Sequence, residues 1–134
     1  MFRKFKMRFA RKADATRVAE LFREINAETT ESDIADLIQK RKVVVFRKKK
    51  KIAGAFSYAV LGVGLLSFLF IRKLAVDKDL RGKGVGSLAL RKIKKFSLRR
   101  KAFGFFLWSV TQAKGFYKKN RLKGVGRFFW WWRN

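Results

Sequence analysis

Residues 74–86 read Leu-Ala-Val-Asp-Lys-Asp-Leu-Arg-Gly-Lys-Gly-Val-Gly. No other stretch constrains the fold as strongly. An apolar, strand-like segment enters a loop with glycine at alternate positions, Gly82, Gly84 and Gly86, and an amphipathic segment follows. Such a turn presents successive backbone N–H groups at a helix N-terminus, where a phosphate is held by hydrogen bonds and by the helix dipole. Glycine is required because a side chain would block the approach of a pyrophosphate. Two other phosphate loops are excluded. The dinucleotide fingerprint needs an acidic residue about 20 positions downstream, and neither Asp nor Glu occurs after Asp79. The P-loop pattern of four residues between its glycines, followed by Lys and Ser or Thr, is not met by Gly82-Lys83-Gly84.

A second segment has related character. Ala113-Lys114-Gly115-Phe116-Tyr117 follows the glycine loop, with a strand-like run, Phe103 to Val110, between the two. In their order and spacing the two segments resemble the cofactor loop (Arg/Gln-x-x-Gly-x-Gly/Ala) and the late Ala-x-x-Phe-Tyr motif of the GNAT N-acetyltransferase superfamily. Arg81, Gly84 and Gly86 match the first. Arg121-Leu122 stands where the family usually has Gly-Phe. The resemblance covers residues 71–122 well and the remainder through the order of elements.

That resemblance implies a single α/β domain over residues 1–134, with a central mixed, mostly antiparallel sheet and helices on both faces. The sheet is expected to splay between its fourth and fifth strands. It further implies acetyl transfer from acetyl-CoA to an amine by direct attack. Backbone groups of Leu74, Ala75 and Val76 would pair with the pantetheine arm. The pyrophosphate would lie on Arg81, Gly82, Lys83, Gly84, Val85, Gly86 and Ser87. Tyr117 takes the position of the family's proton donor to the departing thiolate. The family's frequent glutamate base has no counterpart, since no carboxylate lies between residues 37 and 76. Without a strong base, an α-amine titrating near about 8 suits direct attack better than a lysine-like amine. The acceptor is therefore expected not to be histone-like or spermidine-like.

Charge bounds the partners. The 134 residues carry 35 Lys and Arg against 9 Asp and Glu, a net charge of +26. Residues 80–134 hold 16 of the cations and no carboxylate. Such a surface attracts polyanions: RNA, DNA, anionic lipid or the phosphates of CoA. A catalytically weak protein of this fold, bound to RNA or the ribosome through its basic surface, is the alternative reading. The chain contains neither Cys nor His. Disulfides, thiolate or imidazole metal sites and His-based triads are thereby excluded, and no metal is expected. The 49% hydrophobic content is too high for a disordered chain.

Periodicity places the other elements. Phe5 to Ala10 reads as a strand, with Asp14 as cap of a helix whose face is Val18, Leu21, Phe22 and Ile25. Thr30 and Asp33 stand at capping-box spacing before a second helix bearing Ile34, Leu37 and Ile38. Val43 to Phe46 is β-branched and strand-like. Ile52 to Ile71 is 20 residues without a charge, long enough to span a membrane. Gly62-Val63-Gly64 at its centre instead predicts a hairpin, so no membrane span is expected. Val85, Leu88, Ala89, Ile93 and Phe96 form one face of the helix after the loop. Thr111 is expected to cap a helix ending at Lys119, and Arg127 to Trp132 is a last strand whose tryptophans suit the core, base stacking or a membrane interface. Residues 1–12 lack the apolar core of a signal peptide, so a cytoplasmic location is expected. Monomer and homodimer are both left open.

Overall fold

The computed structural model describes residues 5–63, 66–80, 84–108 and 114–133. The elements are β1 (Phe5–Phe9), α1 (Ala15–Arg23), α2 (Glu31–Gln39), β2 (Val43–Lys48), β3 (Lys51–Leu61), β4 (Phe68–Val76), α3 (Val85–Arg99), β5 (Gly104–Trp108), α4 (Lys114–Lys119), β6 (Lys123–Val125) and β7 (Phe128–Trp132). Short 3-10 turns occupy Lys12–Asp14 and Lys78–Leu80. The strands form one mixed sheet in the order β1-β2-β3-β4-β5-β7-β6. The β4–β5 pair is parallel, while β1–β2, β2–β3, β5–β7 and β6–β7 are antiparallel. This is the expected mixed, mostly antiparallel α/β architecture. The uncharged stretch forms the arms of β3 and β4, and among the described residues no helix is long and apolar enough to cross a membrane.

The chain groups into two compact units, Met1–Tyr58 with Lys73–Ala89, and Ala59–Arg72 with Leu90–Asn134. In the first unit, strand alternation sorts side chains onto two faces. Val45 pairs with Ala55 in the β2–β3 register, and together with Val43 they meet Val18, Phe22, Ile34 and Ile38 of α1 and α2. Phe22 and Ile34 are almost fully buried, each worth about 1.5–3 kcal/mol of transfer free energy. Phe5, Ala53 and Val85 make a separate cluster with Val76, Leu80 and Leu88, which docks the start of α3. The helices thus lie on both faces, as expected. In the second unit Leu69, Ile71, Phe105, Leu107 and Phe129 share one buried face of β4, β5 and β7.

Helix ends show how local chemistry sets the path. The Thr30 hydroxyl accepts from the Asp33 N–H at 3.1 Å and starts α2. Asp14 corrects the expectation. It stands at the N-cap of α1, but its carboxylate does not cap the helix; it turns back to accept from the Arg11 N–H at 2.7 Å and from the two terminal guanidinium nitrogens of Arg8 at 2.7 and 3.3 Å. It thereby closes the preceding 3-10 turn onto β1. Burial raises the Asp14 carboxyl's pKa, but these hydrogen bonds outweigh that effect and hold it below the usual aspartate value.

Three helices end alike. After α2, Arg41 N–H donates to Ile38 O and Lys42 N–H to Leu37 O. After α3, Lys101 N–H donates to Leu98 O and Ala102 N–H to Ser97 O. After α4, Arg121 N–H donates to Lys118 O and Leu122 N–H to Tyr117 O. Each is a Schellman closure, whose left-handed residue is ordinarily glycine. Here the left-handed positions are Arg41, Lys101 and Arg121, at φ of 57°, 59° and 67°. Arg121 therefore holds a left-handed position at which glycine is ordinarily found, with Leu122 buried after it.

β7 covers the apolar run and begins one residue after the expected Arg127, and β6 was not expected; its Lys-Gly-Val sequence lacks alternation. Val110 and Thr111 lie outside the described residues.

Candidate functional site

The loop expected to bind the cofactor begins where β4 ends. Leu74, Ala75 and Val76 are the last residues of β4. Among the described residues the β4–β5 register runs from Phe68↔Gly104 to Ile71↔Leu107, so these three positions lie beyond it. Asp77 then turns the chain. Its N–H donates to Ala53 O at 2.8 Å, its carbonyl accepts from Leu80 N–H at 2.9 Å, and its carboxylate accepts from Asp79 N–H at 2.9 Å. Arg17 of α1 reaches the same carboxylate. Asp77 thus organises the exit from β4, a role that composition alone had not singled out.

Arg81, Gly82 and Lys83 lie outside the described residues. Gly84 follows with φ of +82°, a left-handed conformation that favours glycine. Its carbonyl accepts from Leu88 N–H at 3.1 Å, which makes Gly84 the residue that caps α3. The N–H groups of Val85, Gly86 and Ser87 are then first-turn donors without intrahelical partners, at the positive end of a 15-residue helix. Val85 is buried against Phe5 and Ala53, which fixes the helix start on the sheet.

Beside this turn lies a cleft of about 1030 Å³. Its walls include Lys48 to Lys51 from the β2–β3 turn, Arg17, Asp77, Asp79 and Leu80. Asp77 is compensated by Arg17, so the turn lysines dominate the local charge. The features fit a polyphosphate: first-turn N–H donors at a helix start, the glycines Gly84 and Gly86, and flanking cations. Among the described residues no cluster of carboxylates suits a metal ion.

Tyr117 lies on α4, in the second unit. Its ring sits 5.4 Å from Phe129 and 5.3 Å from Phe116, between centroids. Burial raises its phenol above the ordinary tyrosine value, so the group is a neutral O–H donor at physiological pH. Lys94 of α3 fastens the end of α4: its Nζ donates to Asn120 O at 3.1 Å and lies 5.7 Å over the Trp131 ring. Burial, then the cations Arg121 and Arg91, push the Lys94 amine below the usual lysine value. Nothing in the local sequence marks Lys94 for this role, because its neighbours Arg91, Lys92 and Lys95 are cations too.

Two other buried polar residues lie on or beside the central strands: Tyr58 on β3, and Ser67 just before β4. Tyr58 is buried and its hydroxyl donates to Arg41 O at 3.0 Å. Ser67 is buried, with its carbonyl accepting from Phe103 N–H.

A family model for the acetyltransferase (GNAT) domain matches residues 39–120, more than half of the chain. The chain belongs to the GNAT acetyltransferase family. Solved structures share the fold of this GNAT chain at low identity. Ard1 from Thermoplasma volcanium superposes with a TM-score of 0.76 at 18% identity, covering 97% of both chains. Arabidopsis thaliana NAA60, in complex with acetyl-CoA, gives 0.78 at 14% identity, over 96% of this chain and 99% of its own. The aminoglycoside acetyltransferase meta-AAC0020 from an uncultured soil metagenomic sample, in complex with sisomicin, gives 0.73 at 16% identity over 98% and 99%. No curated protein sequence matches the GNAT chain.

Proposed function

We propose that the protein is an N-acetyltransferase that takes its acetyl group from acetyl-CoA and delivers it to an α-amine or another weakly basic amine. The observation that carries this reading is the chain exit from β4. Glycine-capped α3 places the first-turn N–H groups of Val85, Gly86 and Ser87, which have no intrahelical partner, at a helix start near a lysine-lined cleft, in a chain of the GNAT family. In this reading those N–H groups, with Arg81, Gly82, Lys83 and Gly84, hold the pyrophosphate. The backbone of Leu74, Ala75 and Val76 pairs with the pantetheine arm as an added strand. Acetyl-CoA supplies an acetyl group activated as a thioester.

Tyr117 keeps its proton at neutral pH and is the donor for the sulfur that departs. Burial keeps the phenol protonated before attack, so it takes no proton from the incoming amine; once it has given its proton to the sulfur, the proton shed by the new amide nitrogen restores it. The Asp77 carboxylate is engaged by Arg17 and the Asp79 N–H, and the Tyr58 hydroxyl by a backbone carbonyl. With these groups occupied, the acceptor must arrive neutral. At pH 8 about half of an α-amine is neutral, against well under about 1% of a lysine-like amine. The net charge of +26 also disfavours polycationic acceptors.

An initial-rate comparison of acceptors tests the reading. Peptides with a free α-amine should be acetylated at least tenfold faster, in kcat/KM, than the same peptides blocked at the α-amine but carrying lysine. Spermidine turned over faster than α-amines would overturn the acceptor assignment. Tyr117→Phe should lower kcat by about 10- to 100-fold with little change in the KM for acetyl-CoA.

A further inference from the structure

The second unit carries a feature that acetyl transfer does not use. One face of β4, β5 and β7 is buried; the opposite face is an array of aromatic rings. Phe70 stacks on Phe106 at 5.0 Å between centroids and 16° between planes, and Phe106 meets Phe128 at 5.3 Å. Phe128 touches Trp108 and Trp130, and Trp130 touches Trp132 at 5.8 Å. The register accounts for the array: Phe70 pairs with Phe106, Phe106 with Trp130, and Trp108 with Phe128. Gly104, between Phe68 and Trp132, bears no side chain, and the two rings meet across it at 6.4 Å. Phe68, Phe70, Phe106, Phe128 and Trp130 are partly buried, while Trp108 is 60% and Trp132 41% exposed.

Cations border the array. The Arg127 guanidinium lies 5.9 Å over the Trp108 ring. Arg72 extends the Phe68-Phe70 side of β4, and Lys123 pairs with Trp130 across β6–β7. The whole unit contains 15 Lys and Arg and no Asp or Glu.

We propose that this aromatic face of β4, β5 and β7 is a docking platform for single-stranded nucleic acid, with unpaired bases stacking on its rings and phosphates meeting Arg72, Lys123 and Arg127. Aromatic rings on an exposed sheet, bordered by cations, match what an unpaired strand offers: base faces and a polyanionic backbone. A second copy of the chain is disfavoured, since apposing two carboxylate-free units brings like charges together. A membrane surface fits less well. Interfacial binding sinks an apolar wedge about 5–10 Å into lipid, whereas most of these rings are partly sunk in the sheet.

Fluorescence anisotropy of a labelled, unstructured RNA oligonucleotide tests the platform, with its duplex form and heparin as comparisons, at low and at about threefold higher salt. The single strand should bind at least tenfold tighter than the duplex, and part of that binding should survive the added salt. Trp108→Ala should weaken single-strand binding by about 5- to 100-fold, the effect of losing one base stack, and leave heparin binding unchanged. Phe70→Leu, which keeps an apolar side chain and removes only the ring, should act in the same direction, and circular dichroism verifies that both variants are folded. Equal affinity for single strand, duplex and heparin, or folded variants that bind like the parent protein, overturns the platform. So does Trp108-dependent binding to anionic vesicles or Trp108-dependent dimerisation in sedimentation, with RNA binding unaffected by the substitution.

Discussion

Replacing Arg121 by glycine should stabilise the protein. Arg121 sits at φ of 67°, where an L-side chain costs about 1–2 kcal/mol through the clash of Cβ with the following carbonyl. Glycine removes that cost but adds about 0.4–1 kcal/mol of unfolded-state entropy. It also removes a cation that presses on Lys94, a screened effect of a few tenths of a kcal/mol. The net gain is about 0.5–1 kcal/mol, or roughly 2–6 °C in Tm for a chain of this size. Lys101→Gly should give a similar gain from the same geometry at the end of α3. Arg41→Gly should not. The Arg41 guanidinium lies 4.3 Å from the centroid of the Phe9 ring, an interaction worth about 0.5–1 kcal/mol that glycine forfeits. The expected order is therefore Arg121→Gly and Lys101→Gly above the parent, with Arg41→Gly level with it. Thermal and urea unfolding of the three variants measure this order. A loss of stability in both Arg121→Gly and Lys101→Gly would refute the Schellman assignment.

Other consequences can be measured separately. An alanine methyl at Gly54 would lie 2.8 Å from Ala75 O and 3.4 Å from Val76 Cα, so Gly54→Ala must displace the end of β4. It should cost about 1–3 kcal/mol and weaken acetyl-CoA binding several-fold in calorimetry, and unchanged affinity would separate that strand end from the cofactor. Asp14→Asn should cost about 1–2 kcal/mol at pH 7 by discarding the charge on which Arg8 and the Arg11 N–H converge. Because the folded Asp14 pKa is depressed, that contribution is present above about pH 4 and fades as pH falls through the folded value, so urea titrations of parent and variant should converge in acid. For Tyr117 the sign reverses. Its pKa is raised, so the stabilisation from the protonated phenol is complete below about pH 10 and is lost as pH climbs through the folded value. The alkaline limb of the kcat profile should accordingly lie above pH 10, and a limb well below it would remove Tyr117 as the donor.

The residues made some parts of the molecule legible and hid others. The glycine run and the amphipathic face from Val85 to Phe96 announced the β4–loop–α3 unit, because glycine spacing and 3.6-residue periodicity are local signals. Gly62 marked the hairpin within the uncharged stretch for the same reason. Asp14 misled, because a helix cap and a 3-10 closure call for the same residue type, and only the tertiary partner Arg8 decides between them. Lys94 was invisible among its cationic neighbours; its role depends on the Asn120 carbonyl, 26 positions away. The aromatic array likewise depends on the parallel register of β4 and β5, which no single segment encodes.

Isothermal titration of the purified protein with acetyl-CoA, at low and high salt and with ATP as a phosphate-bearing control, tests the central claim most directly. The claim predicts acetyl-CoA binding that survives high salt and exceeds ATP binding by at least tenfold. Equal, salt-sensitive binding of both would contradict it, because the loop and the start of α3 would then act only as a basic surface.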